Sequence, residues 1–73
     1  MVDVNKLKSR MVLKGYNQRT LTAACREKGY KISENTMYAK FNGRSPLLCD
    51  DADMFCDVLE INDPYEKAEI FLA

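Results

Sequence analysis

The chain has 73 residues, enough for one small domain with a modest margin of stability. No apolar run approaches the roughly 20 residues of a membrane span, and no secretory leader opens the sequence, so we expect a cytoplasmic protein. Histidine and glycine-rich phosphate loops are absent, which makes an enzyme a poor fit.

Three cysteines, Cys25, Cys49 and Cys56, are odd in number and lack C-x-x-C spacing. Without histidine they offer too few ligands for a zinc site, so we predict no metal and no cofactor. We expect reduced thiols buried as small apolar side chains.

Charge is divided unevenly along the chain. Residues 1–44 carry ten Lys or Arg against three acidic residues, a net charge of +7, and residues 45–73 carry one Lys against eight acidic residues, a net charge of −7. Such a chain can present a basic surface to phosphates while it stays neutral overall. The alternative is that the two halves pair with each other across the surface.

Two amphipathic helices are predicted first. One runs from Asp3 or Val4 to Lys14, and the next begins after the N-cap Asn17 and reaches Lys28. A glycine follows each helix as a stop. Their predicted inward residues are Val4, Leu7 and Met11, then Leu21, Ala24 and Cys25.

The stretch 32–43 is predicted to form a short helix with a cap at each end. Ser33 has the side chain of an N-cap, and the Asn-Gly pair at 42–43 is a helix stop. Met37 and Phe41 share the buried face. The opposite face can exchange hydrogen bonds with base edges in the DNA major groove, although a plain solvated surface is the alternative. That face carries Glu34, Asn35, Tyr38, Ala39 and Asn42.

Two more helices follow a break at 44–46. One begins near Cys49 or Asp50, and the last begins after a cap at Asn62 or Asp63. No strand-like alternation appears, so we predict an all-α fold of five helices. The fourth helix directs Ala52, Phe55, Cys56 and Leu59 inward, and the fifth offers Tyr65, Ala68, Ile70, Phe71 and Leu72, of which the last three are either core or a dimer surface.

The run from Asn17 to Gly43 resembles the helix-turn-helix of phage Cro/cI-type repressors, the XRE-like family. The family motif is roughly T-Q-x-x-L-A, then a turn, then I-S-x-x-T-Φ-x-x-Φ-x-N-G, with Φ apolar. The turn at 26–31 is about three residues longer than the family's, and Thr22 replaces a small alanine. The matching residues are Gln18, Leu21, Ile32, Ser33, Thr36, Met37, Asn42 and Gly43, with Phe41 close to an apolar position.

The resemblance implies a single five-helix, lambda-repressor-like DNA-binding domain over residues 1–73. It implies a transcriptional regulator of phage or prophage type that binds a double-stranded DNA operator with helix 33–42 in the major groove. Two copies on a pseudo-palindrome, hence a homodimer, would supply useful specificity. The expected base-reading residues are Ser33, Glu34, Asn35, Tyr38 and Asn42, and the expected phosphate contacts are Gln18, Lys31, Thr36, Lys40 and Arg44.

The competing interpretation is a protein-interaction module on the same fold, such as an anti-repressor or a repressor-partner subunit. Its acidic half would present DNA-like charge to a basic protein. The acidic residues of the fourth helix are otherwise expected to form a solvated face rather than a metal site. Neither interpretation involves a membrane or a small-molecule substrate.

Overall fold

The computed structural model describes residues 2–72 of the chain. These residues contain five α-helices and no strand. The predicted all-α fold with five helices is confirmed. Each helix boundary predicted from the sequence lies within one or two residues of the observed one. Within residues 2–72, none of the helices combines the length and apolar character needed to cross a bilayer. The helices are α1 (Val4–Leu13), α2 (Gln18–Glu27), α3 (Glu34–Phe41), α4 (Cys49–Val58) and α5 (Pro64–Phe71).

Side-chain caps fix where the helices begin. The Asn17 side chain accepts a hydrogen bond from the Thr20 amide at 2.8 Å, and the Thr20 hydroxyl accepts one from the Asn17 amide at 2.9 Å. The Ser33 hydroxyl accepts a bond from the Thr36 amide at 3.2 Å, which confirms Ser33 as the N-cap of α3. Asp63 caps α5 by accepting from a first-turn amide.

The ends of the helices use two different devices. Gly29 and Gly43 follow α2 and α3 with φ values of 98° and 77°, a left-handed conformation that costs glycine little. Glu60 takes the same region after α4, with φ 56°, and the Ile61 amide bonds back to the Cys56 carbonyl at 2.9 Å. A non-glycine stop of this kind is stabilised by its backbone hydrogen bonds and gives no composition signal.

One apolar core joins all five helices, and it anchors α3 by its inner face. Met37 and Phe41 are buried, as predicted from their spacing. The Phe41 ring meets Phe55 of α4 edge to face, with centroids 5.7 Å apart and ring planes at 72°. The buried apolar side chains are Leu7, Met11, Leu21, Cys25, Met37, Phe41, Met54, Phe55, Val58, Leu59, Ile61 and Ile70.

The three thiols lie in three different environments. Cys25 is fully buried, and burial raises the pKa of its thiol to about 11. Cys56 is half-buried, but Cys49 is exposed at the first position of α4. The prediction of three buried thiols is therefore wrong for Cys49, because the first turn of α4 points this position to solvent.

The last helix contributes less to the core than its apolar composition suggests. Ile70 is buried and Phe71 is half-buried against the core, whereas Tyr65 and Leu72 are largely exposed. The Asp3 amide donates to the Ile70 carbonyl at 2.6 Å, which ties the start of α1 to the end of α5. Ile70 is thus a core residue, and of the predicted three-residue cluster Leu72 is the exposed member.

Candidate nucleic-acid interface

The outward face of α3 is exposed, as the spacing of its buried residues requires. Glu34, Asn35 and Asn42 lie open to solvent, and Tyr38 exposes 46% of its surface. Ser33, the N-cap, is exposed beside them. These five side chains are the predicted base-reading set, and the structure keeps all of them out of the core.

A groove runs between the outer face of α2 and the beginning of α3, and we call it the α2–α3 groove. Arg19, Ala23 and Arg26 line it from α2, and the N-terminal residues 33–35 line it from α3. The two arginines are seven residues apart, so they lie on one helix face about 10 Å apart along the axis. The small Ala23 between them leaves the floor of the groove open.

A second depression lies beside the α2–α3 groove and shares Arg19 with it. Gln18 and Tyr38 both line this depression, together with Asn17 and Met11. The first turn of α2 and the middle of α3 therefore belong to one continuous surface. The phosphate-binding role predicted for Gln18 stays a prediction, but its position beside Tyr38 suits it.

Half of the Lys and Arg residues in the segment 1–44 form ion pairs with the acidic half of the chain. Each of the five ion pairs among residues 2–72 joins a cation of the basic half to a carboxylate of the acidic half, so the pairing alternative holds for these residues. The pairs are Lys6–Glu69, Arg10–Glu66, Lys14–Glu60, Lys28–Asp57 and Lys40–Asp51.

Four of the five remaining cations of residues 1–44 lie around α2 and α3, and the fifth, Lys8, lies on α1. Arg19, Arg26, Lys31 and Arg44 are exposed, and none of them forms an ion pair with a carboxylate of residues 2–72. Two lie on α2, one precedes α3 and one follows it. Glu34 is the single acid among the five predicted base-reading side chains, which we call the reading face. This surface therefore carries most of the cations that the ion pairs of residues 2–72 leave unpaired.

Lys40 corrects the predicted set of phosphate contacts. Its side chain is 9% exposed, and its ammonium donates to the Asp51 carboxylate at 2.6 Å and to the Pro46 carbonyl at 3.2 Å. The stem of Lys40 lies on the inward side of α3 and directs the charge toward α4. It is not free to contact a phosphate, and we remove it from the candidate interface.

The other predicted phosphate contacts fall on the edges of the surface. Lys31 and Thr36 line a small depression with the acidic Asp50 and Asp51 of α4, and the Thr36 hydroxyl accepts a bond from Ser33 at 3.0 Å. Thr36 therefore serves the cap of α3 and faces negative charge. Arg44 lies beyond the C-terminal end of α3, where its side chain is exposed.

The long turn between α2 and α3 is tied to α4. The Asp57 carboxylate accepts bonds from the Tyr30 hydroxyl at 2.8 Å and from the Lys28 ammonium at 3.1 Å. The bond from Tyr30, followed by that from Lys28, lowers the pKa of Asp57. The same bond to a carboxylate raises the pKa of Tyr30. The extra residues of this turn thus have a defined attachment.

Arg19 and Arg26 are the residues that sequence reasoning missed. Their seven-residue spacing with a small residue between them marks one exposed face of the second helix. That spacing is visible in the sequence, but the helix-turn-helix motif predicts contacts mainly from the third helix.

Comparison of the chain with known protein families, with curated proteins and with solved structures finds no match.

Proposed function

We propose that the protein is a sequence-specific, double-stranded DNA-binding transcriptional regulator of phage or prophage type. In this proposal α3 and its caps, residues 33–42, insert into the major groove. The observation that carries the proposal is the exposed polar face of α3 flanked by cations that the internal ion pairs leave free. Such a regulator would act in the cytoplasm, where phage or prophage DNA lies.

The base-reading set follows from the orientation of α3. In helix-turn-helix docking the N-terminal part of the second helix meets the base edges, which here carries Ser33, Glu34 and Asn35. An asparagine matches the donor and acceptor of adenine, and a carboxylate accepts from cytosine N4. Tyr38 and Asn42, further along the same exposed face, complete the set.

The phosphate-binding set is revised. The first helix of the motif crosses the DNA backbone, so Gln18, Arg19 and Arg26 of α2 are the principal contacts. Lys31 and Arg44 flank α3 at its two ends and complete the set. Contacts of this kind fix the register of the protein on the duplex without reading sequence. Because one short helix covers few base pairs, we include two copies on a pseudo-palindromic operator in the proposal.

A selection from random duplex DNA, followed by anisotropy titrations at several salt concentrations, tests the proposal. Phosphate neutralisation predicts that log affinity falls linearly with log salt, by about 0.9 per contact. Asn35→Ala should then reduce discrimination against a substituted base pair by about 1–3 kcal/mol. Asn5→Ala, an exposed asparagine on α1, is the matched control and should leave discrimination unchanged.

The second candidate, a protein-interaction module, has one observation in its favour. Val12 and Leu13 are adjacent and largely exposed at the end of α1, and Tyr65 is exposed at the start of α5. Exposed apolar side chains are typical of protein interfaces when they form a patch. This candidate predicts no selected DNA sequence and no linear salt dependence, so the same titrations separate the two functions.

A further inference from the structure

Two carboxylates of α4 hold the chain on either side of α3. Asp51 bonds to Lys40 at the end of α3, and Asp57 bonds to Tyr30 in the turn before it. We call the first set of bonds the Asp51 clasp and the second the Asp57 clasp. Together these bonds attach the chain to α4 at both ends of the short α3.

The Asp51 clasp joins three segments through one oxygen atom. Asp51 Oδ2 accepts from the Lys40 ammonium at 2.6 Å and from the Leu48 amide at 2.9 Å. The Lys40 ammonium also donates to the Pro46 carbonyl at 3.2 Å. Because the Lys40 and Asp51 side chains are only 9% and 15% exposed, water competes little for these bonds.

The Asp57 clasp holds the turn that enters α3. The Tyr30 hydroxyl and the Lys28 ammonium both donate to the Asp57 carboxylate, and Lys28 also reaches the Asp57 carbonyl at 3.4 Å. The Tyr30 amide bonds back to the Cys25 carbonyl at 3.1 Å, which closes α2 just before the clasp. The turn is therefore fixed at α2 by its backbone and at α4 by its side chains.

Apolar packing alone leaves the angle of α3 loosely defined. α3 has eight residues and buries only Met37 and Phe41 as apolar anchors. Burial of apolar area is non-directional, whereas hydrogen bonds to charged groups have narrow geometry. A buried ion pair adds little net stability over an apolar replacement of similar volume, so its main effect here is geometric.

We infer that Asp51 and Asp57 are positioning residues that set the angle of α3 against the protein body and so determine which bases its exposed face reaches. This inference rests on the proposed function. Neither carboxylate points to the reading face, so both act through the helix and not by touching DNA. The clasps should govern discrimination between sequences and leave general affinity for DNA unchanged.

The test compares Lys40→Met/Asp51→Leu with the control Lys6→Met/Glu69→Leu, which likewise replaces both charges of an ion pair by apolar side chains, at an exposed pair of α1 and α5. Affinities are measured for the selected duplex and for single base-pair variants, and thermal unfolding confirms that each protein is folded. We expect the first variant to lose about tenfold in discrimination, with its salt slope and its affinity for unrelated DNA unchanged. The control should keep the discrimination of the wild type.

Tyr30→Phe gives a second reading that does not depend on the buried pair. It removes one hydroxyl from the Asp57 clasp and keeps all charges, and we expect a loss of about threefold in discrimination. Unchanged discrimination in folded variants of both clasps overturns the inference while the proposed function stands. A reduced salt slope in the Lys40 variant also overturns it, because Lys40 would then be a phosphate contact. If the wild type binds no DNA, the proposed function fails and the inference fails with it.

Discussion

The α1–α5 face and the α2–α3 face both contain several cations, but ion pairs neutralise the first face far more completely than the second. On the α1–α5 face two cations of α1 pair with glutamates of α5, Lys6 with Glu69 and Arg10 with Glu66. Lys14, which follows α1, pairs with Glu60, which follows α4. On the α2–α3 face Arg19, Arg26 and Lys31 have no carboxylate partner among residues 2–72. The fold thus neutralises one face and leaves the other positive.

The difference shows how a chain of zero net charge presents a local positive surface. The acidic residues lie in the C-terminal segments, and α5 packs beside α1, so its glutamates reach the cations of α1 and of no other helix. Screening confines the field of the remaining cations to about 10 Å at 0.1 M salt. What a ligand meets is therefore the local set of unpaired charges, and the total charge says little about it.

The largest effect is expected when two cations are removed from each face. If the proposed function holds, Arg19→Ala/Arg26→Ala should lower the slope of log DNA affinity against log salt by about 1.8, because two of the proposed phosphate contacts are removed. Lys6→Ala/Arg10→Ala removes the same charge from the neutralised face and should leave the slope unchanged. Anisotropy titrations with one duplex at four salt concentrations measure both.

Equal slope losses in the two double variants would contradict this prediction. That result would mean that total charge, not its location, controls binding. The far-ultraviolet circular dichroism of each variant shows whether its helices are intact before any binding value is compared.

The free energy of unfolding should respond in the opposite order, with a larger loss when a cation is removed from the α1–α5 face than from the α2–α3 face. Arg10→Ala removes an ion pair at 2.7 Å whose side chains are each 31% exposed, and we expect a loss of up to about 1 kcal/mol in the free energy of unfolding. Arg26→Ala removes an unpaired, exposed side chain and should change that free energy by less than about 0.5 kcal/mol. Urea unfolding at neutral pH compares them, and a larger loss for Arg26→Ala would show that it has a structural partner.

The fold was predictable because its signals are local. Caps such as Asn17 and Ser33, the glycine stops and the spacing of apolar residues all act within one or two turns of chain. The end of α4 is the exception, since Glu60 gives no sign in its residue type that it takes a left-handed conformation. Local chemistry thus predicts the number of helices and most of their limits.

The candidate site was predictable only in part because its charges depend on tertiary contacts. From the sequence Lys40 looks like an exposed cation of α3, yet its partner Asp51 is eleven residues away on another helix. The partners of Asp57 are 27 and 29 residues away. No spacing rule connects such residues. The packing of α4 and α5 therefore decides which cations have no ion-pair partner, and the sequence alone does not predict it. Arg19 and Arg26 could have been found from the face of α2.

The smallest effect is expected at Tyr30, where an exposed hydrogen bond joins the turn before α3 to α4. The Tyr30 bond lowers the pKa of Asp57 from its ordinary 3.8, so it adds stability above pH 3.8 that is lost as pH falls through the folded-state pKa. The same bond raises the pKa of Tyr30 from 10.0, so its stability is present below pH 10.0 and lost as pH rises through the folded-state value. The stability difference between the wild type and Tyr30→Phe should therefore be constant near neutral pH and should decrease at low and at high pH. Urea midpoints measured across pH 2–12 test this, with Tyr65→Phe as the exposed control. A wild-type advantage that stays constant over the whole range would show that the hydroxyl stabilises the fold without its bond to the carboxylate.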